Sequence, residues 1–140
     1  MKKVCILGAG MVSMPIIRYL LQKDYEVCVA SNDLLKVEKE VKKYSNGKLL
    51  LFDIQDQEGL SFLVQENDII VSLLPYAYHP VVAKQCIQHG KHMVTASYIK
   101  PEMQALDAEA KKKGIAILNE LGLDPGIDHM SAMRIIDAIH

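Results

Sequence analysis

Three short segments of this chain hold residues that could do chemistry. Gly8-Ala9-Gly10 could cradle an anion, Thr95-Ala96-Ser97-Tyr98 carries three hydroxyls in four residues, and the run from Asn119 ends on the carboxylate of Asp124. Gly8 would let the chain turn tightly, and Gly10, lacking a Cβ, would let the backbone approach a pyrophosphate. The free N–H groups and positive dipole end of a following helix would then attract the phosphates. Tyr98 could serve as a general acid or base, or orient a substrate carboxylate. It could equally be an amphipathic side chain that caps a sheet. Asp124 could manage a proton, or simply open the turn at Pro125-Gly126. His79 and His129 are possible proton carriers, with capping or packing as the alternative use of each.

Such residues act only if the chain holds them at one edge, and the hydrophobic pattern supplies the means. Strand patterns fall at Lys3–Leu7, Glu26–Ala30, Lys48–Phe52, Ile69–Leu73, His92–Thr95 and Ile115–Asn119. Between them lie helical patterns near Met11–Gln22, Leu34–Tyr44, Glu58–Gln65, His79–Gln88 and Lys100–Lys113. Several strands are continuous apolar runs, as expected of a parallel sheet covered on both faces. Strands alternating with helices predict an α/β doubly wound sheet of six strands, order 3-2-1-4-5-6, with helices on both faces. The glycine turn after the first strand is the Rossmann arrangement, with Ser13 in place of the third glycine of G-x-G-x-x-G. That position mainly serves close helix–strand packing, so a small serine is a mild departure.

In such a sheet, ligands bind beyond the carboxyl ends of the strands. A dinucleotide would therefore meet the Gly8-Ala9-Gly10 turn after the first strand and Ser31, Asn32 and Asp33 after the second. Asp53 and Ile54 after the third would lie beside the adenine. Leu73, Leu74, Pro75 and Tyr76 after the fourth would form an apolar ledge, and Thr95 to Tyr98 follow the fifth. Asp33 could accept the two adenosine ribose hydroxyls, or act as a helix cap. No arginine stands near it to favour a 2′-phosphate, so NAD is expected, with NADP possible. The segments Thr95 to Tyr98 and Asn119 to Asp124 are the richest in hydroxyls and carboxylates, so the substrate end of the cleft is expected there.

Composition narrows the partners. The chain has 140 residues, half of them hydrophobic, and a formal net charge of −1 without long runs of one sign. Neither a nucleic acid nor an anionic membrane surface is indicated. Lysines at 36 to 43 and 111 to 113 lie among carboxylates and read as solvated helix faces. No apolar run approaches the ~20 residues of a membrane span. Cys5, Cys28 and Cys86 share no metal or redox spacing, so no metal site is expected and buried thiols in a reducing cytoplasm are.

Taken together, Gly8 to Pro15, Val71-Ser72-Leu73-Leu74-Pro75-Tyr76, Val94 to Tyr98 and especially Asn119-Glu120-Leu121-Gly122-Leu123-Asp124-Pro125-Gly126-Ile127-Asp128-His129-Met130 resemble the saccharopine dehydrogenase (glutamate-forming), or saccharopine reductase, family. The resemblance covers essentially the whole chain. It implies reversible hydride transfer between a nicotinamide cofactor and the secondary amine of saccharopine, giving glutamate and 2-aminoadipate 6-semialdehyde in lysine metabolism. It further implies saccharopine contacts at Ser97, Tyr98 and Asp124, and a cofactor lying along Gly8, Ala9, Gly10, Met11 and Val12, Asp53 and Ile54, Leu74 and Pro75, and Thr95, Ala96 and Ser97. Family members that use NADP carry a basic residue near Asn32, which is absent here.

The resemblance also implies a second α/β domain that covers the cleft and supplies an arginine for a substrate carboxylate. Residues 1–124 are thus expected to be the cofactor-binding domain, and 125–140 a linker helix leading toward that domain. The chain alone is expected to bind NAD(H) but to turn over poorly. The stripe Met130, Met133, Ile136 and Ile139 on the last helix suggests a homodimer. Two other functions stay open. One is a related imine-reducing enzyme, such as a carboxynorspermidine dehydrogenase or homospermidine synthase relative, and the other is a non-catalytic nucleotide-sensing module.

Overall fold

The computed structural model describes residues 1–140. One six-stranded parallel sheet organises the chain, with β1 (Lys3–Leu7), β2 (Glu26–Ser31), β3 (Gly47–Leu51), β4 (Ile69–Ser72), β5 (His92–Thr95) and β6 (Ile117–Leu118). The spatial order is β3-β2-β1-β4-β5-β6, the doubly wound order that the alternation predicts. The connecting helices are α1 (Met14–Gln22), α2 (Glu38–Val41), α3 (Gln57–Glu66), α4 (His79–His89), α5 (Pro101–Gln104) and α6 (Asp107–Lys113). A seventh, α7 (Ile127–Ile139), follows β6.

β1 shows why the strands lack polar alternation. Successive side chains leave a strand on opposite faces. Val4 and Ile6 enter one core with Ile17 and Leu21 of α1, and Cys5 and Leu7 enter the other with Leu60 and Val64 of α3 and Val82 and Cys86 of α4. Val4, Cys5, Ile6 and Leu7 are each 2% exposed or less, so both faces of the strand are sealed from its second residue on. Each such side chain contributes about 1.5–3 kcal/mol by leaving water. All three thiols are free; Cys5 and Cys86 are buried and Cys28 half-buried. Cys5 and Cys28 are register partners across β1 and β2.

Four elements differ from expectation by more than one residue at a boundary, each for a local reason. α1 begins at Met14, because Gly10 to Ser13 close a turn in which the Ser13 N–H and hydroxyl both donate to the Gly10 carbonyl, at 3.2 and 2.8 Å. The segment from Leu34 to Tyr44 is helical only over Glu38–Val41, its flanks bonding three residues back instead of four. The Lys100–Lys113 helix divides where the Leu106 N–H bonds the Met103 carbonyl, a tightened turn that keeps both side chains in the core. β6 shrinks to two residues, paired with β5 alone through Met93–Ile117 and Val94–Leu118.

α7 contains no buried residue, and Met130, Met133, Ile136 and Ile139 are all exposed. No helix is long and apolar enough to cross a membrane.

Candidate dinucleotide and substrate cleft

Two adjoining hollows lie at the carboxyl ends of the strands. The first, about 580 Å³, is bordered by Gly8, Ala9 and Gly10, by Ser31 and Asn32, and by Asp53 and Ile54. The second, about 460 Å³, is bordered by Val12, by Thr95 to Tyr98, and by Asp124. Leu73, Leu74 and Pro75 belong to both, forming the ledge between them. A ligand long enough to cross that ledge would touch the glycine turn at one end and the hydroxyl-rich segment at the other.

The glycine turn has the shape a pyrophosphate needs. Gly8 stands at φ +100°, a region that side-chain-bearing residues rarely adopt, and a Cβ there would come within 3.2 Å of the Leu73 carbonyl group. At Gly10 the same test finds no atom within 4 Å, so the space above it is open. The residues that border this hollow include no lysine or arginine. They fit a nicotinamide dinucleotide, with Gly8 to Gly10 at the phosphates and Ser31, Asn32, Asp53 and Ile54 toward the adenosine.

Two of the residues expected at the cofactor, Met11 and Asp33, line neither hollow. Met11 is 86% exposed and borders neither hollow. Asp33 also lies outside both, and its Oδ1 accepts the Leu35 N–H at 3.0 Å. The carboxylate thus closes the turn leading toward α2, the capping use that the sequence left open. Asp53 does likewise, accepting the Gln55 N–H at 2.9 Å, yet it stays on the hollow's rim.

At the other end, Tyr98 and Asp124 meet directly. The Tyr98 hydroxyl donates to Oδ1 of Asp124 at 2.5 Å. That bond, followed by desolvation and by the charges of Asp124, Asp128 and Glu120, pushes the phenol's pKa up to about 12. Tyr98 therefore stays protonated near neutrality and acts as a donor. The loop carrying Asp124 is laced onto the end of β5: the Glu120 N–H donates to the Ser97 carbonyl and the Leu121 N–H to the Thr95 carbonyl. Gly126 closes the loop at φ +142°, where a Cβ would fall 2.0 Å from the Gly122 carbonyl oxygen. The Asp124–Pro125 peptide is cis.

Three further groups converge here, of which sequence reasoning had singled out only His79. Asp128, in the first turn of α7, accepts N–H bonds from Gly126 at 3.0 Å and His129 at 2.8 Å. Burial works to raise its pKa, but those N–H groups and the neighbouring His129 outweigh it, and the carboxyl lies below its ordinary range. Lys100 borders the second hollow with its Nζ 5.3 Å from the Tyr76 ring centroid, a cation–π distance. His79 is buried, 1% exposed, and touches three hydroxyls, those of Ser72, Thr95 and Ser97. Asp128 was signalled by standing four residues after Asp124 at a helix start, and Lys100 by following Tyr98 at a spacing of two. His129 lies at the edge of the site, its ring in T-shaped contact with Tyr98 at 6.2 Å.

Residues 4–118 match the family described as the saccharopine dehydrogenase NADP-binding domain. This chain belongs to that family. The mitochondrial alpha-aminoadipic semialdehyde synthase of Bos taurus is 46% identical over 137 residues, which is 97% of this chain and 15% of that protein. The saccharopine dehydrogenase [NADP(+), L-glutamate-forming] of Schizosaccharomyces pombe is 40% identical over 141 residues, 100% of this chain and 31% of that one. A solved structure of apo saccharopine dehydrogenase (L-Glu forming) from Saccharomyces cerevisiae superposes with a TM-score of 0.91 at 40% identity, over 100% of this chain and 32% of the other. The chain thus spans between 15% and 32% of the length of these relatives. As a saccharopine dehydrogenase NADP-binding domain, it has the nicotinamide-dinucleotide fold that the Gly8–Gly10 turn implies.

Proposed function

We propose that this chain is the cofactor-binding part of an oxidoreductase that converts saccharopine, an oxidised nicotinamide dinucleotide and water to glutamate, 2-aminoadipate 6-semialdehyde, the reduced dinucleotide and a proton. The observation that carries the proposal is the hydrogen-bonded pair Tyr98–Asp124 beside Ser97, set across the Leu73–Pro75 ledge from the open glycine turn. A nicotinamide group bound over that ledge supplies the hydride acceptor. The chain's own residues supply position and proton handling. Leu73, Leu74 and Pro75 present an apolar wall that keeps water from one side of the reacting carbon. Tyr98, donating through its hydroxyl, fixes one oxygen of Asp124 and leaves the other to meet the substrate's amine or its attacking water. Ser97 can donate to a substrate carboxylate.

NAD is the better match for the adenosine end. No cation borders that hollow, and Asp53 on its rim would repel a 2′-phosphate. The family's description and the fungal relatives' names both specify NADP, so the choice is tested directly by comparing the two dinucleotides.

The amino-acid substrate, cytoplasmic residence and a homodimer through the exposed stripe of α7 belong to the same reading. Sedimentation equilibrium tests the last of these: a clean monomer at high concentration contradicts it. The activity is tested in the full-length protein by following absorbance at 340 nm with saccharopine and either dinucleotide. Growth of absorbance that depends on saccharopine supports the proposal. Reduction driven by a carboxylated polyamine instead would move the enzyme to the related imine-reducing class.

A further inference from the structure

His79 heads α4 and reaches into the space between the ends of β4 and β5. Its Nδ1 lies 3.0 Å from the hydroxyl of Ser72, the last residue of β4. Its Nε2 lies 2.8 Å from the Ser97 hydroxyl and 3.0 Å from that of Thr95, the last residue of β5. Ser72 and Thr95 are both 1% exposed or less, so water satisfies neither. All three border the second hollow, and of them Ser97 alone is only part-buried.

The ring is neutral. Burial disfavours its charged form, and a cation at a helix N-terminus meets the positive end of the dipole. A neutral imidazole has one N–H and one lone pair, so the three contacts decide between its tautomers. With the proton on Nδ1, the single lone pair of Nε2 would have to accept from two hydroxyls at once. With the proton on Nε2, one N–H is shared between two oxygen acceptors, a common bifurcated arrangement, and the Ser72 O–H donates to Nδ1. Only the second assignment satisfies all three contacts together.

We propose that His79 is a positioning residue: protonated on Nε2, it grips the Ser97 oxygen from behind and leaves the Ser97 O–H free to donate into the cleft. A serine held this way offers a donor, which selects for an anionic oxygen such as a substrate carboxylate. The opposite tautomer would consume that proton and present only an acceptor. The part of this inference that concerns substrate rests on the saccharopine reading above. The part that concerns the tautomer does not.

Two measurements test it. In full-length protein labelled with ¹⁵N in the histidine rings, a long-range ¹H–¹⁵N spectrum should show one ring protonated at Nε2 and bare at Nδ1, absent from the His79→Gln variant. A ring protonated at Nδ1, or at both nitrogens, overturns the proposal without recourse to any activity. The second is kinetic. His79→Gln places an amide N–H near the Nε2 position, and His79→Asn places one near Nδ1. His79→Gln should keep KM for saccharopine within about threefold, and His79→Asn should raise it about 10- to 100-fold, the loss expected for one hydrogen bond to a charged group. Dinucleotide affinity should be unchanged in both. Adding Ser97→Ala to His79→Asn should cost nothing more, because both remove the same donor. Equal loss in the Gln and Asn variants, or a fully additive double variant, contradicts the positioning role. A wild-type protein inert toward saccharopine overturns the substrate assignment, and the spectrum still decides the tautomer.

Discussion

The Tyr98 hydroxyl and Asp124 Oδ1, 2.5 Å apart, join the segment after β5 to the loop after β6, so two strand ends act as one wall of the cleft. The bond is an O–H donated to a carboxylate, the strong, charge-assisted kind. It makes Tyr98 a donor and leaves Asp124 the group with an oxygen to offer.

That relationship can be read by titration. The phenol's folded pKa, about 12, stands above its ordinary 10. A raised acid pKa means that the bond's stabilising effect is complete below about pH 10 and disappears as pH climbs through 12. Absorbance at 295 nm, taken as the difference between the wild type and Tyr98→Phe, should show ionisation near pH 12. In Asp124→Asn the same difference should move toward pH 10. In the full-length protein Asp124→Asn should also lower kcat/KM by about 10²-fold or more, the usual scale for a proton-handling group.

Two glycines should separate folding from binding. Gly126→Ala forces a Cβ to 2.0 Å from a carbonyl oxygen at φ +142° and should destabilise by about 1–3 kcal/mol, seen as a lower midpoint in urea. Gly10→Ala meets no atom within 4 Å, so its midpoint should shift by no more than about 0.5 kcal/mol. Its new methyl would instead occupy the space meant for phosphate oxygens, and dinucleotide affinity should fall at least about tenfold. A Gly10→Ala protein with unaltered affinity would remove the glycine turn from the site.

Glu40 gives the acid limb of the stability curve. Bonds from Arg18 at 2.9 Å and Lys43 at 2.7 Å hold its carboxyl at about 2, below the ordinary 4.5. A depressed carboxylate pKa stabilises the fold fully above about pH 4.5, and that contribution drains away as pH falls toward 2. Thermal unfolding followed by circular dichroism should show a steeper loss over this window in the wild type than in Glu40→Gln.

Cofactor choice should respond to one added cation. Asn32→Arg places a guanidinium at the adenosine end, where no cation borders the hollow. Pairing with a 2′-phosphate should tighten NADPH about 10- to 100-fold relative to NADH. An unchanged ratio would place the adenosine ribose away from the end of β2.

The sheet order was legible because continuous apolar strands alternate with helical patterns, and few topologies satisfy that alternation. The glycine turn and the Ser97, Tyr98 and Asp124 cluster were legible because strand ends in such a sheet share one edge. Asp33 was ambiguous, since a short carboxylate can reach a ribose or its own backbone two residues on; its Oδ1 accepts the Leu35 N–H. The cage around His79 was hidden for a different reason. Its hydroxyls come from positions 72, 95 and 97, and only the register of β4 against β5, pairing Ser72 with Thr95, brings them to one ring.

The central claim is that a nicotinamide dinucleotide lies from the Gly8–Gly10 turn, over Leu73–Pro75, to Ser97. It is tested most directly by titrating the purified chain with NADH and NADPH and following nicotinamide fluorescence. Saturable binding with NADH the tighter ligand, weakened by Gly10→Ala, is the result this account requires. Binding of neither dinucleotide would contradict it, and tighter binding of NADPH would overturn the reading of the β2 end.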